Sequence, residues 1–342
     1  MTIGPDVTHR ERKVRAMSQQ NKKGKVKDPA LAKRARAKTM ARAKSYWQLY
    51  LFLIPAVLYF GIFRYIPMAG VQIAFKDYNV IGGIWGSPWA GLKHFIRFFE
   101  SPSCLTVIGN TLKISILNLL FGFPLPIILA LLINQTRSKR FAKIVQTTIY
   151  APHFISAVII VGMLNLFLAP STGILNQILR LITGDGSISI MFMGNAAWFP
   201  AIYVISEIWQ NMGYNSIVYT AALSGVSPEL HESAIMDGAT VIQRILYIDI
   251  PSIAPTIIIL LIMNTGRVLT VGYEKIFLMQ NSLNRSASEV ISTYVYQQSF
   301  GSGGIPNFSY SSAIGLFESV VSLILILTVN KIAQKYADMS LV

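Results

Sequence analysis

The sequence predicts an all-α membrane protein with six transmembrane helices, and its composition, its apolar stretches and its loop charges support this prediction. The 342-residue chain is 53% hydrophobic and only 13% charged, whereas soluble domains carry about 25% charged residues. Its mean hydropathy is +0.49. These values are hard to reconcile with a soluble fold, so we expect the chain to lie in a bilayer. A single cysteine, Cys104, excludes an internal disulfide framework and any site built from several thiolates.

Residues 1–45 form a basic tail. This segment contains fourteen of the 30 Lys and Arg residues but only three acidic residues. It has neither the apolar core nor the cleavage site of a signal peptide. Because its composition cannot bury a core, we expect a disordered cytoplasmic tail that contacts anionic membrane lipid. We expect no nucleic-acid partner, although a basic tail alone leaves that alternative open.

Residues 46–342 form the predicted membrane domain, which contains six apolar stretches. Each is long enough to cross a bilayer, which takes about 20 helical residues. The predicted spans are Tyr46–Ile66, Thr111–Ile133, Ile144–Leu168, Ala197–Tyr219, Ile253–Val271 and Ser312–Val329.

Charges in the short loops predict the orientation of these spans. Lys and Arg are retained on the cytoplasmic side. They cluster at 137–143, between the second and third spans, and at 331–335, after the sixth span. Lys76, Lys93 and Arg97 in the first outer loop oppose the assignment, but they are fewer than the cations of the tail. We therefore predict that both termini are cytoplasmic.

The loop at about 221–252, between the fourth and fifth spans, has the sequence of two short helices. The Ser-Pro-Glu at 227–229 is a helix-start signal, and Gly238 favours a helix end. The spacing of apolar residues predicts a second helix from Val241 that stops near Pro251.

This loop resembles the EAA loop of permease subunits in binding-protein-dependent ABC importers. The family pattern is Glu-Ala-Ala, three residues, Gly, nine residues, Ile, one residue, Leu-Pro. This chain keeps the spacing, with Ser at the second position and Ile for Leu, and it fits the common Asp-Gly-Ala variant. The matching residues are Glu232, Ser233, Ala234, Asp237, Gly238, Ala239, Ile248, Ile250 and Pro251.

The resemblance implies the transmembrane domain of a type I ABC importer in the bacterial cytoplasmic membrane. It also implies three partners: a second permease subunit, an ATPase dimer and an extracytoplasmic solute-binding protein. In the family, the short loop helix docks into a groove on the ATPase. By resemblance, Glu232 makes polar contact there and Gly238 permits the sharp turn.

The chain has no Gly-x-x-x-x-Gly-Lys-Ser/Thr phosphate-binding loop. We therefore expect a non-enzymatic subunit without a cofactor or metal of its own. ATP and Mg²⁺ would be bound by the partner ATPase.

Further motifs narrow the resemblance to permeases of complex-carbohydrate uptake, and among them to the lipoprotein-associated polysaccharide permeases. That group serves oligosaccharides, including fragments that contain uronic acids, so the resemblance implies a carbohydrate substrate. The similar segments are 66–68, 91–99, 150–156, 271–278 and 315–317.

Polar residues in or near the spans are candidates for the substrate path, because membranes tolerate them mainly where they face protein or water. Tyr273 is a possible platform for a sugar ring. Arg267 and Glu274 would share one helical face if the fifth span continued that far. Alternatively, Arg267 snorkels outward and the other acids stabilise helix contacts. The candidates are Arg267, Tyr273, Glu274, Glu207 and Glu318.

Other function classes remain as alternatives. An ion-driven secondary transporter or channel often shows repeated halves, which this sequence does not. A membrane enzyme would need a convergent catalytic set, and the polar residues here are dispersed. An ABC permease for a non-sugar solute would keep the same loop.

Overall fold

The computed structural model describes residues 46–301 and 306–337. Within these residues the secondary structure is helical apart from one isolated bridge between Lys76 and Trp89. The all-α prediction is therefore confirmed. The predicted tail, 1–45, lies outside the described residues. The chain divides into two units, Met1–Gly70 and Val71–Val342.

The described part of the first unit is a single apolar helical stretch. Helix α1, Trp47–Phe60, continues through the π-helical turn Gly61–Tyr65 into Ile66–Met68. Its described side chains are almost all exposed, as expected for a helix that faces lipid or another protein.

The second unit contains the other helices that are numbered here. They are α2 (Lys93–Glu100), α3 (Ser103–Leu117), α4 (Pro124–Asn134), α5 (Lys139–Tyr150), α6 (Ala157–Phe167), α7 (Ile174–Thr183), α8 (Phe199–Ser224), α9 (Pro228–Met236), α10 (Val241–Arg244), α11 (Ile250–Thr265), α12 (Tyr273–Met279), α13 (Ile291–Phe300) and α14 (Phe308–Ala337). Shorter helices and π or 3-10 turns occur at Ala69–Phe75, Gly83–Gly86, Asn118–Gly122, Ala151–Phe154, Ile245–Asp249 and Arg285–Ser288.

Four helical stretches of the described residues are long and apolar enough to cross a membrane. They overlap the first, second, fifth and sixth predicted spans. Their bounds are Tyr50–Phe75, Ser103–Asn134, Val241–Thr265 and Phe308–Lys335.

The prediction of six continuous spans is not confirmed. The third predicted span consists of α5 and α6, which are bent by 97° at a short break. The bend lies at residues 155–156, after a 3-10 turn that contains Pro152, and Ser156 starts α6 by accepting a hydrogen bond from the Ile159 amide. The fourth, α8, is 26 residues long but is not among the candidate spans, because polar residues interrupt its apolar sequence. The described chain thus has four candidate spans, or five if the bent pair is one span.

Helix α8 lies at the centre of the second unit, where it packs against α3, α4, α5 and α11. Its Tyr203 and Val204 join a buried cluster with Ile114 of α3 and Ile276 of α12. Nearer the loop at 221–252, Leu223 packs with Ile253 in a second cluster. Both ends of α8 are therefore fixed by apolar packing, and its polar residues lie between these two clusters.

Candidate functional site

The first helix of the loop has the predicted bounds. Helix α9 begins with Pro228 in its first turn and Glu229 beside it, and it ends at Met236. Ser227 is the N-cap residue, although its side chain makes no capping hydrogen bond. Gly238 has a φ of +80°, which is the left-handed conformation that glycine adopts at low cost. The predicted helix break is confirmed.

The second loop helix does not stop near Pro251, so that prediction is wrong. Helix α10 begins at Val241 with a capping box formed by Thr240 and Gln243. It continues through the π turn Ile245–Asp249 into α11, with Pro251 in the first turn of α11. A π turn shifts the backbone hydrogen-bond register, so a proline just after it fits without breaking the helix. The loop and the fifth span are therefore one helical stretch, Val241–Thr265.

The residues that match the EAA pattern form an exposed surface. Glu232, Ser233, Asp237, Gly238 and Pro251 are exposed. Ala234, Ala239 and Ile248 are half-buried. Among the described residues, Glu232 has no ion pair. The polar face of α9 is thus open to a partner.

A polar cavity of about 460 Å³ lies in the second unit. It is formed by the end of α3 and the turn after it, by α8, and by the end of α11 with the residues that follow. This volume lies within the range of about 300–1,000 Å³ that is usual for small-molecule sites. The polar side chains that line it include Asn118, Glu207, Asn211, Asn215, Asn264 and Arg267.

Glu207 on the cavity wall is paired with Lys275 from α12. The Lys275 ammonium lies 3.1 Å from Glu207 Oε2 and 3.1 Å from Gln210 Oε1. Asn211 donates a hydrogen bond of 2.7 Å to Glu207 Oε1. Burial lowers the pKa of Lys275, and the Glu207 carboxylate opposes that shift. The charge of Glu207 is therefore balanced from behind the cavity wall.

The same wall is connected to the break between α5 and α6. His153 Nδ1 lies 2.8 Å from Asn211 Oδ1, and the His153 ring stacks on Tyr214 with centroids 3.8 Å apart. Gln210 donates to the Ile155 carbonyl at 3.0 Å. Polar contacts from α8 therefore hold the bent segment in place.

Arg267 lines the cavity from the turn after α11. Helix α11 ends at Thr265. Arg267 and Glu274 therefore do not lie on one helix and do not share a helical face. The Arg267 side chain is exposed, and among the described residues it forms no ion pair. It is therefore an unpaired cation at the cavity surface.

The structure places the other three candidates outside the residues that line the cavity. Tyr273 packs against Tyr296 and Phe277, with ring centroids 5.0 and 5.4 Å away. Glu274 is exposed in the first turn of α12. Glu318 is half-buried in α14. Glu207 and Arg267 are thus the two candidates that the cavity brings together.

Sequence reasoning missed several residues of the cavity. Glu207, Asn211 and Asn215 recur every four residues, a spacing that places them on one helical face. That polar stripe was a usable signal. No pattern in the sequence indicates the pairing of Glu207 with Lys275, because the two residues are 68 positions apart. In the described part of the chain, no three His, Cys, Asp or Glu side chains form a group that could hold a metal ion.

Comparison with known proteins assigns this arrangement to a family. Residues 122–338, which include the loop and the cavity residues of α8 and α11, match the model for the binding-protein-dependent transport system inner membrane component. The chain belongs to this family. It is therefore a permease of the inner membrane, and the all-α architecture is that of a type I ABC importer permease.

Two curated relatives of this permease come from Bacillus subtilis (strain 168). Protein LplB is 45% identical over 297 residues, which cover 87% of this chain and 92% of LplB. The polygalacturonan/rhamnogalacturonan transport system permease protein YteP is 42% identical over 290 residues, which cover 85% of this chain and 88% of YteP.

Solved structures of ABC transporters are also similar to this permease. A chain of the bacterial alginate ABC transporter, in complex with an alginate pentasaccharide-bound periplasmic protein, superposes with a TM-score of 0.79 at 40% identity. The match covers 88% of this permease and 99% of that chain. A second structure, of a bacterial ABC transporter that imports the acidic polysaccharide alginate, has a TM-score of 0.78 at 41% identity.

Proposed function

We propose that this permease is one half of the membrane pathway of an ATP-driven importer that moves an oligosaccharide inward by alternating access. The observation that carries the proposal is the continuous helical stretch Val241–Thr265, which joins the exposed loop to the polar cavity. Movement of the loop from Val241 onward would reach the cavity along one continuous helix.

Conformational change in the ATPase would be passed to this permease through α9. Glu232, Asp237 and the turn at Gly238 are exposed on the surface that the family uses to contact an ATPase dimer. ATP and Mg²⁺ would be bound by that partner, and this chain would supply no catalytic residue. A second permease subunit would complete the pathway, and an extracytoplasmic binding protein would deliver the solute.

The substrate class proposed is a carbohydrate, with acidic oligosaccharides favoured. YteP is named for the transport of polygalacturonan and rhamnogalacturonan, and the alginate transporter for the import of the acidic polysaccharide alginate. The cavity offers amide groups that can bond to sugar hydroxyls. It also offers Arg267, whose guanidinium can bind a carboxylate with two parallel hydrogen bonds. Because Glu207 is already paired with Lys275, Arg267 would set the charge that a substrate meets.

Both termini would lie in the cytoplasm of a bacterial cell. The clusters of Lys and Arg at 137–143 and 331–335 support this orientation. The basic tail, 1–45, would lie on the same side, against anionic lipid.

A binding screen on the cognate solute-binding protein tests the substrate class. The screen compares galacturonan oligosaccharides with neutral arabinan oligosaccharides of equal length, and then measures uptake of each sugar by cells that express the full complex. We expect tighter binding and faster uptake of the acidic sugars. A binding protein that ignores both sugars and selects an amino acid or a metal would contradict the proposal.

A further inference from the structure

A buried charged cluster lies where the loop helices meet the membrane helices. Its centre is Asp249, the last residue of the π turn, whose side chain is fully buried. An isolated carboxylate in such a place is strongly destabilising unless other groups balance its charge. The partners of Asp249 therefore show what this cluster holds together.

The partners come from three elements. His231 of α9 places its Nε2 atom 3.3 Å from Asp249 Oδ1, and its side chain is only 19% exposed. Gln135, the residue that ends α4, donates a hydrogen bond of 2.8 Å to Asp249 Oδ2. Arg244 of α10 is close enough for its positive charge to act on the carboxylate.

The contact between His231 and Asp249 is mainly electrostatic. Within the described residues, Asp249 Oδ1 receives no hydrogen bond, whereas Oδ2 receives one from Gln135. Oδ1 is therefore stabilised by its contact with the His231 ring and by the guanidinium charge of Arg244.

The position of His231 gives this contact a mechanical consequence. It directly precedes Glu232, on a helix whose polar face is exposed. Gly238 allows the chain between α9 and α10 to turn sharply. Along the backbone, this turn is the connection between α9 and the fifth span. The side-chain contact from α9 to Asp249 bypasses that turn and reaches both α11 and the end of α4.

We propose that His231 is a positioning residue for energy coupling, because its contact with Asp249 fixes α9 to the start of the fifth span and passes movement of α9 to α11. The inference rests on the proposed function, in which α9 docks on an ATPase. It concerns residues that face into the membrane domain, whereas the residues proposed to touch the ATPase face outward.

The test measures the cavity directly and needs no known substrate. In a Cys104→Ser background, Asn215→Cys places a reporter on the cavity wall. The full complex is reconstituted in proteoliposomes, and an impermeant maleimide on the extracytoplasmic side reports how fast this cysteine is labelled. ATP with vanadate traps the ATPase, and we expect labelling of the parent to accelerate because the cavity opens outward.

We expect His231→Ala and Asp249→Asn each to reduce this acceleration by at least about fivefold, the lower end of usual coupling effects. ATPase binding and vanadate-trapped nucleotide would stay at the parent level. The double variant would be no worse than the worse single variant, because both remove one contact. Thr136→Ala, next to Gln135 but outside the cluster, is the matched control and would respond as the parent does.

A second variant separates charge from shape. His231→Lys places an ammonium group beside Asp249 in place of the imidazole, so we expect it to retain most of the response. Responses are normalised to trapped nucleotide. A normal response in His231→Ala, or equal loss in His231→Lys and His231→Ala, would overturn the inference.

The outcome also separates this inference from the proposed function. A parent complex whose cavity does not respond to trapping, or a Gly238→Asp variant with a normal response, would contradict the proposed function. If Gly238→Asp removes the response while His231→Ala leaves it intact, the result supports the assignment of the coupling loop and contradicts the proposed role of His231.

Discussion

Arg267 is the residue that gives the polar cavity its charge. The carboxylate of Glu207 is paired with Lys275 behind the wall, whereas Arg267 is exposed and has no ion-pair partner among the described residues. A cation in such a site attracts a uronate more strongly than a neutral sugar, because a guanidinium matches the geometry of a carboxylate.

We therefore predict that Arg267→Ala reduces uptake of acidic oligosaccharides by about tenfold, equivalent to the loss of one charged hydrogen bond of roughly 1.5 kcal/mol. Uptake of neutral oligosaccharides would change little. Competition between the two sugars in cells measures the ratio. Arg267→Lys would keep an intermediate preference, and Lys113→Ala, which removes an exposed cation of α3, is the control. An unchanged ratio in Arg267→Ala would indicate that Arg267 only snorkels outward.

A side chain at Gly238 would affect both the backbone conformation of the loop and the docking of a partner. The φ of Gly238 is +80°, and a Cβ atom added there would meet no other described residue, its chain neighbours apart, within 4 Å. The effect of a side chain is therefore backbone strain, which is about 1–2 kcal/mol for an L-residue in the left-handed region, together with obstruction of a docked partner.

Gly238→Asp and Glu232→Arg should each leave membrane insertion intact and reduce transport about tenfold. Gly238→Asp adds backbone strain and obstructs a docked partner, whereas Glu232→Arg reverses the charge proposed to contact the ATPase. Uptake at equal expression measures the loss. Gly225→Asp is the matched control, since Gly225 lies in the same loop with a φ of −85°. Normal uptake by both loop variants would refute the assignment of this loop to ATPase coupling.

At the scale of helices, three π turns share one arrangement with proline. They end at Tyr65, Gly122 and Asp249. In each case a proline follows two residues later, at Pro67, Pro124 and Pro251. The wide turn leaves room where proline lacks a backbone donor, so each helix continues instead of breaking. This arrangement explains why the expected stop near Pro251 does not occur.

Helix α12 is fixed to α8 by the pair of Lys275 and Glu207, whose side chains are 5% and 25% exposed. We predict that Lys275→Met or Glu207→Gln alone lowers the free energy of unfolding by about 1–3 kcal/mol, because each leaves a poorly solvated group without its partner. The double variant should lose less than the two single losses together. Thermal unfolding in detergent, with Lys113→Met as control, measures the difference. Strict additivity would contradict the pairing.

At the scale of the whole molecule, local patterns of the sequence predicted more than its long-range contacts. Hydropathy predicted an all-α membrane protein, and the spacing around Glu232 and Gly238 predicted the loop helix and its family, because both signals lie within one segment. The bend between α5 and α6 was missed, since a hydropathy window averages over the break at residues 155–156. The pairing of Glu207 with Lys275, and the packing that turns Tyr273 away from the cavity, arise only when distant helices meet.

The central claim is that this permease is driven by a partner ATPase through the loop around Glu232 and Gly238. The most direct test is uptake into proteoliposomes that contain the assembled complex, with ATP enclosed and the loaded binding protein outside. We predict that uptake requires ATP, is abolished by vanadate and continues when ionophores collapse all ion gradients. Uptake that proceeds without ATP and stops when an ion gradient is removed would contradict the account.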